Sequence, residues 1–263
     1  MEQKNSTADM ACLASQFPRL VGLAQASQIY RNNPELAKNK PGFTEKGSEI
    51  AFATIGNSSC AEGHFFEAVN AIGVLQVPVI ISVWDDGYGI SVSNDIQMTK
   101  SDVSEALKGF QRDDKGEGFE IAKVKGWDYP ALIEAFNKAG KIAREEHIPV
   151  ILHVIELTQP QGHSTSGSHE RYKSEKRLKW EKEYDCNLQF RKWIITNNFA
   201  TDEELNQLEK QIKKEVRDGK KEAWSEFLTP IVSEKKHVVS LLSDLANNSS
   251  NKSFINRLKN DLI

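Results

Sequence analysis

Two turns in this sequence combine small, polar and acidic residues in a way that could bind a phosphate group together with a cation. The first turn follows the apolar segment "EIAFATIG" and consists of Gly56, Asn57, Ser58 and Ser59, after which the pattern becomes helical. Backbone N–H groups at such a turn point outward at the positive end of a helix dipole, where phosphates bind. Taken alone, a small-residue turn of this kind is more often a packing feature.

The second turn contains carboxylates. The apolar segment "VPVIISVWD" ends at Asp85 and is followed by Asp86, Gly87 and Tyr88. In proteins Mg²⁺ is bound by one or two carboxylates, by carbonyl or amide oxygens, and by oxygens of a bound phosphate. The two turns together therefore predict a diphosphate held through Mg²⁺, with Asn57 supplying an amide oxygen. The alternative is that the two aspartates only cap a turn at Gly87.

The elements that must position these turns alternate along the chain. Short segments rich in β-branched residues, typical of strands buried in a parallel sheet, are separated by amphipathic helical stretches. The strand segments are "EIAFATIG" (49–56), "VPVIISVWD" (77–85), "EGFEIAKVKG" (117–126) and "IPVILHVIEL" (148–157). This pattern predicts an α/β fold, a three-layer doubly wound parallel sheet with helices on both faces. Ligands bind beyond the carboxyl ends of such strands, so the two turns should flank one crevice.

The composition changes near residue 170, where long charged helical stretches begin. We expect an α/β module over residues 1–170, a helical extension over 171–230 that packs on the module or on a partner, and terminal helices or a linker over 231–263. The extension contains a capping box, Thr201 with Glu204.

Composition and charge exclude several classes of partner. The chain has 263 residues, 34 basic and 37 acidic, for a formal net charge of −3, so no strong field favours nucleic acid or an anionic membrane. Cys12, Cys60 and Cys186 are odd in number and far apart, which favours free thiols in a reducing compartment. The longest apolar run is too short to span a membrane and the start lacks a signal-peptide pattern. We therefore expect a cytoplasmic protein.

Three stretches carry a resemblance to a known family. "IGNSSCAEGHFFEAVNAIGVLQVPVIISVWDDGYGIS" resembles the thiamine-diphosphate motif of the α-type E1 components of 2-oxoacid dehydrogenases, in which GDG or GEG is followed by NNGYAIS after the next strand. "ACLASQFPRLVGLAQA" and "GHSTSGSHERYKS" resemble the motifs before and after it. The resemblance covers residues from about 10 to 230, and its motifs are closest to the branched-chain, 2-oxoisovalerate type; a pyruvate type stays open.

The resemblance implies a role for individual residues. Asn57, Asp86 and the Tyr88 carbonyl correspond to the Mg²⁺ ligands, Leu13 to an apolar residue that bends the cofactor, and His163 to a catalytic histidine beside its thiazolium ring. The residues that it predicts to contact thiamine diphosphate are Leu13, Gly56, Asn57, Ser58, Ser59, Asp86, Tyr88, Ile90 and His163. The family's aspartate and amide have changed places here, but one carboxylate, one amide and one carbonyl remain.

The resemblance also implies partners within a multienzyme complex. A β-type E1 subunit or domain would supply the glutamate that activates the cofactor, and an E2 lipoyl domain would accept the acyl group after oxidative decarboxylation of a 2-oxoacid. The isolated chain would then be inactive, and the working enzyme a hetero- or homo-oligomer. The competing interpretation is a non-catalytic fragment or decayed subunit that serves assembly.

Overall fold

A parallel sheet of four strands forms the centre of the α/β part of the chain. The structure is a computed structural model that describes residues 12–39, 42–159 and 168–262. Within these ranges the sheet has the strand order β1-β2-β6-β5, and β3 and β4 form a small antiparallel hairpin. The strands are β1 (Ala51–Gly56), β2 (Val79–Trp84), β3 (Tyr88–Gly89), β4 (Val92–Ser93), β5 (Glu120–Lys125) and β6 (Val150–Ile155). Each predicted strand segment therefore contains one strand of the sheet.

Helices flank the sheet, and further helices follow its last strand in the chain. In the described ranges they are α1 (Phe17–Asn32), α2 (Pro34–Lys38), α3 (Gly63–Leu75), α4 (Asn94–Gln97), α5 (Val103–Ala106), α6 (Tyr129–Lys141), α7 (Glu175–Glu183), α8 (Cys186–Thr196), α9 (Asp202–Asn247) and α10 (Lys252–Leu262). Among the described helices, none combines the length and the apolar character that crossing a membrane requires.

Each face of the sheet has its own apolar core. On one face, fully buried side chains of α1 and α3 pack against β2 and β6; Phe17 and Phe65 meet edge to face with ring centroids 5.5 Å apart. On the other face, Ala139 of α6 packs with Ile80 and Leu152. Burial on both faces explains why β2 and β6 are continuous apolar runs. The predicted three-layer α/β class is confirmed.

The chain divides into two compact units, one that ends at Thr196 and one that begins at Asn197. In the second unit α9 has 46 residues and begins with the predicted capping box of Thr201 and Glu204. The boundary predicted at residue 231 falls inside α9, which continues through Pro230. The polar stretch "NNSSNKS" (247–253), inside the segment predicted as terminal helices or a linker, lies where α9 ends and α10 begins.

Candidate functional site

The carboxyl ends of three neighbouring strands border one cavity. Gly56 of β1 pairs with Trp84 of β2, which in turn pairs with Val154 of β6. The turns that follow these strands therefore begin at one edge of the sheet. They are in close contact, because a Cβ atom added at Gly89 would lie 2.5 Å from Cβ of Ser58. The cavity that they border has a volume of about 700 Å³.

This cavity brings together the described residues that the sequence predicts to contact a cofactor. Those residues are Leu13, Gly56, Asn57, Ser58, Ser59, Asp86, Tyr88 and Ile90. The side chains of Leu13 and Ile90 are 58% and 53% exposed, so the cavity offers apolar surface beside a polar turn. Trp84, the segment 157–159 and Cys186 complete much of the wall. His163 lies outside the described residues, and the predicted roles of all nine residues stay predictions.

A buried carboxylate, Asp85, organises the hydrogen bonds behind the cavity wall. One of its oxygens accepts from the backbone N–H of Gly87 at 2.7 Å and from Nδ2 of Asn94 at 3.0 Å. The other lies 2.8 Å from Nε2 of His153, which is fully buried in β6. Asp85 is therefore a structural acceptor, with its oxygens directed away from the cavity that Asp86 lines.

The same network reaches Asn57 in the first turn. Oδ1 of Asn94 accepts from Nδ2 of Asn57 at 2.6 Å, and Nδ2 of Asn57 also donates to the backbone carbonyl of Tyr88 at 3.0 Å. Asn57 is only 4% exposed. The two turns are thus joined by side-chain hydrogen bonds as well as by packing.

At its other end the network continues to α5. Nδ1 of His153 lies 2.8 Å from Oγ of Ser104, which is also buried. The motifs did not indicate Asn94, Ser104 or His153. A histidine inside the apolar segment "IPVILHVIEL" was nevertheless a signal, since a histidine in a buried strand needs polar partners.

Asp86 is the carboxylate that faces the cavity. Its Oδ1 accepts from the backbone N–H of Tyr88 at 3.1 Å. Burial raises the pKa of Asp86, against the opposing effects of that hydrogen bond and of the nearby positive charges of Lys173 and Arg177. The cavity therefore contains a partly desolvated acidic group next to the predicted diphosphate turn.

A buried ion cluster holds the second turn from the side of α7. Nζ of Lys173 lies 2.8 Å from Oε1 of Glu181, and Nε of Arg177 lies 2.8 Å from the same oxygen. Nη2 of Arg177 donates to the carbonyl oxygen of Asp86 at 2.6 Å, and its guanidinium lies 5.6 Å from the Tyr88 ring centroid. In the sequence these residues belong to the long charged helical stretch that begins near residue 170; the spacing of Arg177 and Glu181, four apart, was the available signal of an ion pair.

The residues fit the two predicted cofactors unequally. The small-residue turn and the apolar side chains suit a diphosphate attached to an apolar group. For a cation, Asp86 offers a carboxylate, but Asn57 directs its amide nitrogen, not its oxygen, at the Tyr88 carbonyl. Asn57, Asp86 and Tyr88 as they stand do not present three oxygen ligands to one cation. No group of three or more His, Cys, Asp or Glu side chains suited to a metal occurs among the described residues.

Cys60, which directly follows the first turn, gives a direct test of the packing around the site. Burial raises the pKa of its thiol, and the carboxylate of Asp85 raises it further. We therefore expect the thiol to stay unreactive in the native protein, because the thiolate is the reactive form. Titration with a disulfide reagent should count the same number of reactive thiols in the native Cys60→Ser variant as in the wild type. Cys12 is exposed, so Cys12→Ser should lower the count by one.

Comparison with known proteins places the chain in a family. A sequence model of the family described as Dehydrogenase E1 component matches residues 2–231. The pyruvate dehydrogenase E1 component subunit alpha of Rickettsia bellii (strain RML369-C) is 28% identical over 184 residues, 67% of this chain and 52% of the relative. The mitochondrial 2-oxoisovalerate dehydrogenase subunit alpha 2 of Arabidopsis thaliana is 27% identical over 237 residues, 89% of this chain and 44% of the relative.

These matches bear on the resemblance seen in the motifs. The chain spans about half the length of the curated relatives that it matches. Their names divide between pyruvate and 2-oxoisovalerate dehydrogenases, so the two types are both represented. The family match covers most of the chain and includes both turns of the cavity. The resemblance to α-type E1 components is confirmed, and the chain belongs to the dehydrogenase E1 component family.

Proposed function

We propose that the chain binds the diphosphate end of thiamine diphosphate as the α-type part of a 2-oxoacid dehydrogenase E1. One observation carries the proposal: the eight described residues that the motifs predict to contact the cofactor line a single cavity at the carboxyl ends of the strands. In open parallel sheets this is where ligands bind. When bound, thiamine diphosphate supplies a carbon nucleophile and an electron sink for decarboxylation of a 2-oxoacid.

The chain's own residues would hold and orient this group. The turn Gly56–Ser59 would receive the diphosphate, and its Ser58 lies in close contact with Gly89 of the second turn. Leu13 and Ile90 would cover the apolar part of the cofactor and exclude water from it. Asp86 would be the carboxylate available to the predicted Mg²⁺, next to oxygens of the diphosphate.

Catalysis would need groups from beyond the described part of the chain. We assign to His163 the positioning of substrate and the movement of a proton, because an imidazole can both accept and donate a proton. A β-type subunit or domain would supply the activating glutamate, and an E2 lipoyl domain would accept the acyl group. For the substrate we favour a branched-chain 2-oxoacid of the 2-oxoisovalerate type, on the wording of the motifs; pyruvate is the alternative.

Calorimetric titration with thiamine diphosphate tests the proposal. The chain reconstituted with a β-type E1 subunit should bind thiamine diphosphate and should bind thiamine, which lacks the diphosphate, at least about tenfold more weakly. Ser59→Asp places a carboxylate in the diphosphate turn and should weaken binding of thiamine diphosphate at least about tenfold through charge repulsion. Ser225→Asp, on the exposed surface of α9, is the matched control and should bind like the wild type.

The same titration of the reconstituted complex can also contradict the proposal. If it binds no thiamine diphosphate, or if Ser59→Asp binds as well as Ser225→Asp, the cavity is not a diphosphate site. The non-catalytic assembly subunit would then be the better interpretation.

A further inference from the structure

We propose that the side-chain amide of Asn57 takes the place of a divalent cation between residue 57 and the Tyr88 carbonyl, so that the two turns are ordered without Mg²⁺. The inference rests on the proposed function only in treating these turns as a cofactor site. Its basis is the direction of the hydrogen bonds that join Asp85, Asn94, Asn57 and Tyr88.

The direction of these bonds is fixed at the carboxylate. A carboxylate such as that of Asp85 accepts hydrogen bonds and donates none, and the N–H of Gly87 already donates to it. Asn94 must therefore turn its amide nitrogen toward Asp85, where Nδ2 lies 3.0 Å and 3.1 Å from the two carboxylate oxygens. The opposite orientation would place the amide oxygen of Asn94 against a carboxylate.

The orientation of Asn94 determines that of Asn57. With its nitrogen bound to Asp85, Asn94 presents Oδ1 to the first turn, 2.6 Å from Nδ2 of Asn57. That nitrogen carries two hydrogens, and the second acceptor within reach is the Tyr88 carbonyl at 3.0 Å. Both N–H groups of Asn57 are thus used, one for each neighbour.

A cation bound jointly by Asn57 and Tyr88 would require a different arrangement. The amide of Asn57 would have to turn over and present Oδ1, which would then face Oδ1 of Asn94 at hydrogen-bond distance with no proton between them. Two hydrogen bonds, of which the one to Asn94 is buried, would be lost in the same step. In the observed orientation the Tyr88 carbonyl instead faces the positive hydrogen of an amide, which repels a cation.

The exchange of residue types follows from this network. An aspartate at position 57 would face two further acceptors, Oδ1 of Asn94 and the Tyr88 carbonyl, and a cation would be needed to hold the three together. Asparagine supplies the positive hydrogens itself. The compensating carboxylate is therefore Asp85, which orients the network, whereas Asp86 remains free to line the cavity.

Thermal unfolding without cofactor tests the inference separately from cofactor binding. The midpoint of the wild-type chain should be the same in excess EDTA and in millimolar MgCl₂. Asn57→Asp should unfold about 4–8 °C lower in EDTA and recover at least half of that loss in MgCl₂. Asn137→Asp, an exposed position on α6, adds the same charge and should show neither effect.

Nuclear magnetic resonance of the wild type provides a second measurement in case Asn57→Asp does not fold. The side-chain NH₂ protons of Asn57 should exchange with solvent at least about tenfold more slowly than those of exposed Asn137 in EDTA, with no change in MgCl₂. A wild-type midpoint that rises in MgCl₂, or Asn57 protons that exchange freely until Mg²⁺ is added, would overturn the inference. If the unfolding and exchange results are as expected but the reconstituted complex binds no thiamine diphosphate, the proposed function is overturned and the inference about Asn57 is not.

Discussion

Replacement of Glu181 by alanine is expected to lower the free energy of unfolding by about 3–5 kcal/mol, because it leaves the charge of Lys173 buried without its partner. The side chains of Lys173 and Glu181 are 1% and 2% exposed, and the ammonium lies 2.8 Å and 3.0 Å from the two carboxylate oxygens. Arg177 would lose its contact with the same carboxylate but is partly exposed, so water can solvate it. Urea-induced unfolding followed by circular dichroism measures the difference.

Two further variants show whether the loss of stability comes from the buried ion pair or from the removal of a carboxylate from α7. Glu183→Ala removes an exposed carboxylate from the same helix and should change the free energy of unfolding by less than about 0.5 kcal/mol. The double variant Lys173→Met, Glu181→Leu removes both charges and should recover most of the loss, since apolar residues of similar size often replace a buried pair without cost. A loss below about 1 kcal/mol in Glu181→Ala would show that Lys173 reaches water.

The ion cluster of Lys173, Arg177 and Glu181 also connects α7 to the wall of the cavity. Arg177 is held by Glu181 at Nε and donates from Nη2 to the carbonyl oxygen of Asp86. Displacement of Glu181 therefore frees the guanidinium that restrains the second turn. We expect Glu181→Ala to weaken thiamine diphosphate binding in the reconstituted complex as well, whereas Glu183→Ala should not.

The sequence was sufficient for the fold and for the lining of the cavity because both depend on local patterns. Buried parallel strands read as apolar runs, and the strands end where Gly56 and Trp84 stand side by side. Parallel topology then brings the following turns to one edge of the sheet. The resemblance to the family's motifs could therefore identify residues such as Ser58 and Ile90 without knowledge of any side-chain contact.

The hydrogen-bond network could not be predicted because its members are far apart in the chain. His153 reaches Asp85 across 68 positions and Ser104 across 49. The count of possible metal ligands in the sequence assumed that Asn57 presents its amide oxygen to a cation. The orientation of that amide depends instead on Asn94, which is itself oriented by Asp85, nine residues earlier in the chain. Lys173 was missed for a related reason: charged residues at the start of an amphipathic stretch are usually solvated, and only tertiary packing buries this one.

Replacement of Asp85 by alanine is the second large effect that we expect, a loss of about 3–5 kcal/mol in the free energy of unfolding. Two buried donors, Nδ2 of Asn94 and Nε2 of His153, and the partly buried N–H of Gly87 would lose their acceptor. Each unsatisfied buried group costs about 1–3 kcal/mol, and relaxation or an entering water recovers part of the sum. Urea-induced unfolding of the chain measures this loss.

Asp95→Ala and Asp85→Asn show whether the loss arises from the network. Asp95 is exposed beside buried Asn94, and its replacement should cost less than about 0.5 kcal/mol. Asparagine at position 85 keeps an oxygen for Gly87 and Asn94 but turns a donor toward His153, which can accept at Nε2 if Nδ1 donates to Ser104. We therefore expect Asp85→Asn to lose less than half as much stability as Asp85→Ala. Equal losses in these two variants would mean that the negative charge of Asp85, and not its oxygen acceptors, holds the two turns together.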